Sequence, residues 1–188
     1  IPAENDVKIL ENCEKLEADL KESNLRVQTI QDSEHRLGWK LNEVEIQGIP
    51  LTIIIGQKEI DGGSVTIKIR HNHEEKSLSL DNLSNQLILL MDEIQDDMFK
   101  KATVNREKLI TEVNNYNEFQ EVMMNKRGYL KAFWCEDKGC EVAIKEETKA
   151  TTRCLPFIDN SGNVAEEVGS CVKCGEKANH RWLFAQAY

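Results

Sequence analysis

Apolar residues recur every three or four positions in several stretches of the chain, a spacing that places them on one face of a helix. The longest of these stretches begins at Asp81, a suitable N-cap residue, and is expected to end between Ala102 and Asn105. The other predicted helices are residues 7–22, 35–47, 116–124 and 141–148.

Other stretches alternate apolar and polar residues or are rich in β-branched side chains, which predicts strands. Leu51–Ile55 and Ser64–Arg70 are the clearest of them. The segment Asp61-Gly62-Gly63 between them is expected to turn the chain so that the two strands pair as a hairpin. Further strands are predicted at residues 25–30, 129–134, 151–157 and 180–184, with a polar loop over residues 159–169.

Helices and strands alternate up to about residue 104, a pattern typical of an α/β layer structure. The chain is therefore predicted to contain a domain of residues 1–104 and a smaller domain of residues 105–188. With 188 residues, 40% of them apolar, it is long enough for two small domains with buried cores. It opens with Ile1-Pro2 and goes almost directly into a helix, so we expect it to be a piece of a longer protein.

Composition excludes some classes of partner. No stretch approaches the roughly 18 apolar residues of a membrane span, and no signal-peptide pattern opens the chain, so we expect no membrane partner and a cytoplasmic location. The net charge of −9 counts against a general nucleic-acid binder, because affinity for phosphates rises with the number of Lys and Arg residues. Any RNA contact is expected to be local, and no DNA partner is expected.

Six cysteines in a chain expected in the cytosol favour metal binding over a disulfide framework, because cytosolic thiols are kept reduced. Four of them form two close pairs, Cys135 with Cys140 and Cys171 with Cys174. Two tight turns can aim four sulfurs at one zinc ion, and four protein sulfurs leave no open position. The prediction is therefore a structural zinc site, with Gly175 allowing the backbone to turn after the last sulfur.

Alternative interpretations of the cysteines stay open. The four could be unligated thiols, or Cys171 and Cys174 could be a redox pair, although a thioredoxin-like motif normally opens a helix after a strand. Cys154 and His180 are substitute ligands, but Cys154 lies in a predicted strand and is expected in a core. Cys13 lies on the apolar stripe of the first helix, where a small thiol serves packing.

Motifs along the whole chain become informative in combination. They are Gly38-Trp-Lys-Leu-Asn-Glu-Val-Glu-Ile-Gln-Gly-Ile-Pro50, Leu51–Gly56, Trp134-Cys135 with Cys140, Thr152-Arg-Cys-Leu-Pro-Phe157, Cys171-Val-Lys-Cys174 and Phe184-Ala-Gln-Ala-Tyr188. Together they resemble the C-terminal half of a prolyl-tRNA synthetase of the archaeal and eukaryotic type.

The resemblance implies an α/β fold: a class II synthetase anticodon-binding domain, with a mixed sheet flanked by helices, followed by a small α/β zinc-binding domain. It implies the C-terminal fragment of a proline–tRNA ligase that recognises the anticodon of proline tRNA, with structural zinc as its cofactor. In the family the catalytic domain, which uses ATP and Mg and forms the homodimer, precedes these domains. The fragment is therefore expected to contact proline tRNA and its own catalytic domain, and not to aminoacylate alone.

The anticodon bases that proline tRNAs share are two guanines, which offer N1–H and N2–H₂ donors as well as O6 and N7 acceptors. Carboxylates suit the donors, and Arg and Lys suit the acceptors. Without the resemblance, the charges near residue 40 would be interpreted as a solvated helix face, and the tryptophan there as a core residue rather than a stacking platform. With it, the expected anticodon-binding residues are Arg36, Trp39, Lys40, Glu43, Glu45 and Lys58.

The chain departs from the family pattern at two positions. Val44 stands where an aromatic residue is usual, and Thr52 where an Arg is usual, which leaves Lys58 as the expected cation at that end of the strand. The family also implies a terminal carboxylate that can reach the active site, although packing of Tyr188 on the zinc domain is an equal alternative. Two other functions stay open: a zinc-stabilised protein-interaction module without RNA binding, and a dithiol oxidoreductase.

Overall fold

A computed structural model describes residues 1–3, 6–126, 128–159 and 161–187. The chain forms two compact units, Ile1–Lys100 and Lys101–Tyr188. The predicted domain boundary after residue 104 lies slightly further along the chain and stays a prediction. Within the described residues, the helices are all too short or too polar to cross a membrane. Tyr188 lies outside the described residues, so the expectation for its carboxylate is not tested.

The first unit combines helices with a three-stranded sheet. The elements of this unit are α1 Val7–Glu22, α2 Leu37–Ile46, β1 Leu51–Ile54, α3 Gln57–Gly62, β2 Ser64–Ile69, β3 Glu75–Ser79 and α4 Leu83–Leu109, which continues beyond the unit. The strand order is β1-β2-β3, and both neighbouring pairs are antiparallel. A separate parallel bridge joins Pro2 to Ile55, so parallel and antiparallel pairing both occur.

The core of the first unit follows from the apolar periodicities. Alternate residues of β2 are buried, and Val65 and Ile67 are fully inaccessible to solvent. Stripes on α1 and α4 cover this face of the sheet, with Cys13 among the buried residues of α1, as predicted. Burial of these side chains is the main stabilising contribution to the unit.

Several predictions for the first unit need correction. Residues 25–30 form no strand; the Thr29 backbone N–H donates instead to Glu17 Oε2 at 2.8 Å. β1 and β2 pair as predicted, but the short helix α3 connects them instead of a simple turn. The residue that caps this helix, Gly63, has a left-handed φ of 60°. The predicted long helix ends at Leu109 rather than between residues 102 and 105, and β3 was not predicted.

The second unit contains a four-stranded sheet and a separate small hairpin. The elements of this unit are β4 Ile110–Glu112, α5 Tyr116–Asn125, β5 Tyr129–Phe133, α6 Lys138–Thr148, β6 Ala150–Cys154, β7 Gly169–Ser170, β8 Lys177–Ala178 and β9 Arg181–Gln186. The strand order of the sheet is β4-β5-β9-β6, with β4 and β5 parallel and the other pairs antiparallel, and β7 and β8 form the hairpin.

Aromatic side chains fill much of this second core. Phe119 and Phe184 are fully buried and meet edge to face, with ring centroids 5.3 Å apart, and Trp134 and Trp182 meet similarly at 5.2 Å. The predicted strand over residues 151–157 ends at Cys154, which is exposed, so the expectation of a core cysteine there was wrong. β4 and the small hairpin of β7 and β8 were not predicted.

Candidate metal centre and RNA-binding surface

Three separate segments of the second unit deliver four thiols to one place. Cys135 follows β5, and Cys140 lies in the first turn of α6. The Asp137 carboxylate caps this helix by accepting hydrogen bonds from the backbone N–H groups of Gly139 and Cys140, at 2.8 and 3.1 Å. The other two cysteines, 171 and 174, lie in the turn between β7 and β8.

The four Sγ atoms all lie within 4.8 Å of one another. The Sγ of Cys135 is 3.7 Å from those of Cys140 and Cys174, a separation far longer than the roughly 2.05 Å of a disulfide bond. Four sulfurs at about 2.3 Å from a tetrahedral zinc ion would lie about 3.8 Å apart. The predicted residues are therefore brought together in an arrangement that could hold a metal ion.

Electrostatics also favour a cation at this site. Burial and the neighbouring thiols raise the pKa of Cys140, and burial raises that of Cys135. Burial acts in the same direction on Cys171, but hydrogen bonds from backbone N–H groups, among them those of Cys174 and Lys173, lower its pKa to about 7. One thiolate therefore forms readily while its neighbours resist ionisation, and a divalent cation would stabilise the remaining thiolates.

A polar cluster holds the turn that carries the second cysteine pair. Lys173 Nζ donates to Glu147 Oε1 at 2.6 Å and lies 4.0 Å from the centre of the Tyr116 ring. The Tyr116 hydroxyl donates to the other carboxylate oxygen of Glu147 at 2.8 Å. After the pair, Gly175 adopts a left-handed φ of 81°, as the predicted turn requires.

The substitute ligands are not part of this cluster. Cys154 lies at the end of β6. The His180 ring is engaged elsewhere, with Nδ1 3.3 Å from Glu136 Oε1. Trp182 Nε1 donates to the same oxygen at 3.2 Å.

In the first unit, the predicted RNA-binding residues lie on and around α2. Arg36 is exposed and immediately precedes the helix. Trp39 is 46% exposed and stacks on the ring of His35, with centroids 3.8 Å apart. His35 is held in turn by Asp32, whose Oδ2 lies 2.7 Å from the ring Nδ1. The tryptophan therefore presents an aromatic surface to solvent rather than filling the core.

Lys40 differs from the other predicted contacts because it is only 2% exposed. It lies one helical turn before the buried Val44, so the two residues share the buried face of α2. It also lines a cavity of about 370 Å³, together with His35, Arg36 and other residues at the start of the helix. Direct contact with RNA would therefore require access through this cavity.

The two predicted carboxylates lie on different flanks of α2, since residues two apart are separated by about 200° around a helix axis. Glu43 Oε1 accepts a hydrogen bond from Gln47 Nε2 at 2.9 Å. Glu45 lies between a lysine and a histidine, with Oε2 4.0 Å from Lys68 Nζ and Oε1 3.5 Å from His73 Nδ1. Lys58 is exposed on α3. The six predicted residues are thus spread over more than one surface.

Comparison with known proteins finds a domain match in each part of the chain. Residues 1–89 match a family model described as an anticodon-binding domain, and residues 116–188 match one described as the C-terminal domain of prolyl-tRNA synthetase. The chain belongs to the prolyl-tRNA synthetase family. The alternation of helices and strands in the first unit is therefore the α/β anticodon-binding fold that the motifs predicted.

Individual members of the prolyl-tRNA synthetase family resemble nearly the whole chain. This chain is 38% identical over 181 residues to proline–tRNA ligase 2 of Clostridioides difficile, and 36% identical over 180 residues to the proline–tRNA ligase of Lachnospira eligens. Each of the two alignments covers 96% of this chain and 36% of the relative. The crystal structure of prolyl-tRNA synthetase from Cryptosporidium parvum superposes with a TM-score of 0.87 at 27% identity, over 100% of this chain and 39% of that one. The chain thus spans little more than a third of the length of these synthetases.

Three residues near the predicted RNA-binding set were not anticipated from the sequence. His35 supports the Trp39 ring, and Lys68 and His73 flank Glu45. The polar side of the alternating stretch 64–70 was the available signal for Lys68, because every second residue of β2 faces away from the core. His73 lies in the link between β2 and β3, whose pairing was not predicted.

Proposed function

We propose that the chain is the tRNA-recognition part of a proline–tRNA ligase and that its first unit reads the guanines of the proline anticodon. The observation that carries the proposal is the match of residues 1–89 to an anticodon-binding domain, whose exposed surface in this chain offers Trp39 beside charged side chains. An exposed aromatic face is what an unstacked base requires, and single-stranded anticodon bases are recognised by stacking and by their edges.

The proposed contacts fall into two groups. Arg36, Trp39 and Glu43 lie toward one flank of α2, where a guanine could stack and be bonded along its polar edges. Glu45 lies on the other flank, and Lys58 on α3 extends the surface. The buried Lys40 contributes positive charge from beneath this RNA-binding surface. This local pairing of carboxylates and cations explains how a chain of net charge −9 could still select guanine.

For the second unit we propose a structural zinc ion held by Cys135, Cys140, Cys171 and Cys174. When bound, the ion would supply cross-linking of β5, α6 and the β7–β8 turn, and no chemistry on a substrate. The backbone N–H groups around Cys171 would stabilise the thiolate charge. Four sulfur ligands favour zinc over the oxygen-preferring Mg and Ca ions.

The remaining proposals concern the complete enzyme. We expect this chain to work beside its own catalytic domain in a cytoplasmic homodimer, where ATP, Mg and proline would bind outside these 188 residues. Attachment of proline to tRNA would then depend on the catalytic domain for chemistry and on this chain for selection of the tRNA.

Fluorescence anisotropy with an RNA stem-loop carrying the proline anticodon tests the proposal. We expect the chain to bind it at least about tenfold more tightly than a stem-loop with both guanines replaced by adenine, since each misread base typically costs about 1–3 kcal/mol. Arg36→Ala and Glu43→Ala should reduce this preference. Glu93→Ala, an exposed carboxylate on α4, is the matched control and should not. Equal binding of the two RNAs would contradict the proposal and would favour a zinc-stabilised protein-interaction module.

A further inference from the structure

The register of the first sheet places a lysine directly opposite Thr52. Thr52 on β1 pairs with Lys68 on β2 in the antiparallel ladder, and opposite residues of such a pair point to the same face. That face is opposite to the one on which Val65 and Ile67 are buried in the core. Thr52 is 8% exposed, and its side chain is too short to extend beyond its neighbours. Lys68 can therefore supply a cation on the same face from the adjacent strand.

Lys68 and Glu45 lie close together without forming a hydrogen bond. The Nζ of Lys68 lies 4.0 Å from Glu45 Oε2, which exceeds hydrogen-bonding distance, and the two side chains are 27% and 40% exposed, respectively. The other carboxylate oxygen faces His73, at 3.5 Å. An ammonium donor and a carboxylate acceptor thus stand side by side, both accessible and neither fully satisfied by the other.

The placement of the Lys68 ammonium beside the Glu45 carboxylate matches the polar groups along one edge of guanine. The Watson–Crick edge of guanine carries the O6 acceptor next to the N1–H donor, followed by the exocyclic amino group. We propose that Lys68 is a specificity-determining residue that donates to O6 of an anticodon guanine, while Glu45 accepts from N1–H and the amino group of the same base. This inference rests on the proposed function, because it names the residues that would select one of the two guanines.

Lys68 fits this role better than Lys58. Lys58 projects from the exposed surface of α3, after β1 has ended, and has no place in the ladder beside Thr52. Lys68 is fixed by strand pairing and lies beside the carboxylate that would hold the rest of the edge. A rigid strand positions such a donor more precisely than an exposed short helix does.

Single-atom changes in the RNA separate the two contacts. The stem-loop is prepared with guanosine, with 6-thioguanosine, which replaces O6 by a poorer acceptor, or with inosine, which lacks the amino group. Each replacement is made at one anticodon guanine at a time, and binding is measured by anisotropy for the wild-type chain, Lys68→Met, Lys68→Arg and Lys76→Met. Lys76 is a matched control, since its Nζ lies 3.9 Å from Glu93 Oε2 on another part of the sheet.

We expect the wild-type chain to prefer guanosine over 6-thioguanosine at one position by about tenfold, the usual range for a hydrogen bond to a charged group. Lys68→Met should abolish that preference and leave the preference over inosine intact. Lys68→Arg should retain both, and Lys76→Met should behave as wild type. Thermal unfolding of each variant shows whether the chain is folded, and the inosine preference shows whether the surface is intact.

Two results would overturn this inference and leave the proposed function intact. One is a wild-type chain that selects guanine over adenine but does not distinguish guanosine from 6-thioguanosine. The other is a Lys68→Met variant that keeps the full preference over 6-thioguanosine. If the wild-type chain does not select guanine over adenine at all, the proposed function itself fails, and the inference fails with it.

Discussion

Replacement of Cys140 by serine tests the four-thiol arrangement. Its Sγ lies 3.7 Å from that of Cys135, close to the roughly 3.8 Å expected between sulfurs around one tetrahedral zinc ion. Little rearrangement is therefore needed for all four to bind. A serine hydroxyl is a much poorer zinc ligand than a thiolate and would leave three sulfurs. We expect zinc to fall from one ion per wild-type chain to well below one in the variant.

The effect on stability follows from linkage. A metal that binds only the folded state stabilises it by about 2.7 kcal/mol when its free concentration is 100 times Kd. For a domain of about 60–100 residues, each kcal/mol shifts Tm by about 4–8 °C. The second unit, Lys101–Tyr188, is of this size. Loss of zinc should therefore lower its Tm by about 11–22 °C.

Tryptophan fluorescence can isolate this unit. Trp134 and Trp182 belong to its core, and Trp39 is the third tryptophan of the chain. In a Trp39→Phe background, fluorescence reports only the second unit, and elemental analysis gives the zinc content. Cys154→Ser is the matched control, because this exposed thiol lies outside the cluster.

The control should bind one zinc and melt as the parent does. Full zinc occupancy with an unchanged Tm in Cys140→Ser would refute the four-thiol arrangement. So would a wild-type chain whose Tm does not respond to a chelator. A folded, metal-free wild-type chain with redox-active Cys171 and Cys174 would favour the dithiol oxidoreductase instead.

Three further predictions concern single contacts. Lys173→Met should weaken zinc affinity about tenfold in chelator competition, because the turn loses its anchor, and Lys173→Arg should not; equal affinities would contradict this role. A lysine hydrogen bond lowers the pKa of Glu17 from 4.5 to about 2, so its contribution to stability is complete above pH 4.5 and is lost as the pH falls toward 2. Denaturation of wild type and Glu17→Gln should converge over that range, and a constant difference would argue against it. A Cβ at Gly169 would lie 2.3 Å from the Phe133 ring, so Gly169→Ala should cost about 1–3 kcal/mol in urea unfolding, whereas Gly38→Ala, with open space around it, should not destabilise; equal midpoints would contradict this prediction.

The sequence patterns were most informative where one face of an element is buried. Alternation in residues 64–69 predicted β2, and the spacing of three or four residues between Leu83, Leu87, Leu90 and Ile94 predicted the helix α4. β3 has no such signal, because nearly all of its side chains are exposed and its place depends on hydrogen bonds to β2. The helix α3 is too short for a periodicity to appear.

The candidate sites were predictable to different degrees. Four cysteines in two close pairs are typical of a tetrahedral thiolate site, so the members of the cluster could be predicted from their spacing alone. The RNA-binding surface depends on tertiary positions. Neither the burial of Lys40 nor the exposure of Trp39 follows from a helical wheel, and the approach of Lys68 to Glu45 depends on how β2 and α2 are arranged.

The order of strands in the second sheet has a consequence for biosynthesis. β9 lies between β5 and β6, yet it follows both along the chain. A ribosome therefore releases β5, α6 and β6 before the strand that must separate and pair them, and until then both strands have unprotected edges. We expect the nascent second unit to remain unfolded until residues 181–186 leave the exit tunnel, and a chain stalled earlier to be a substrate for chaperones.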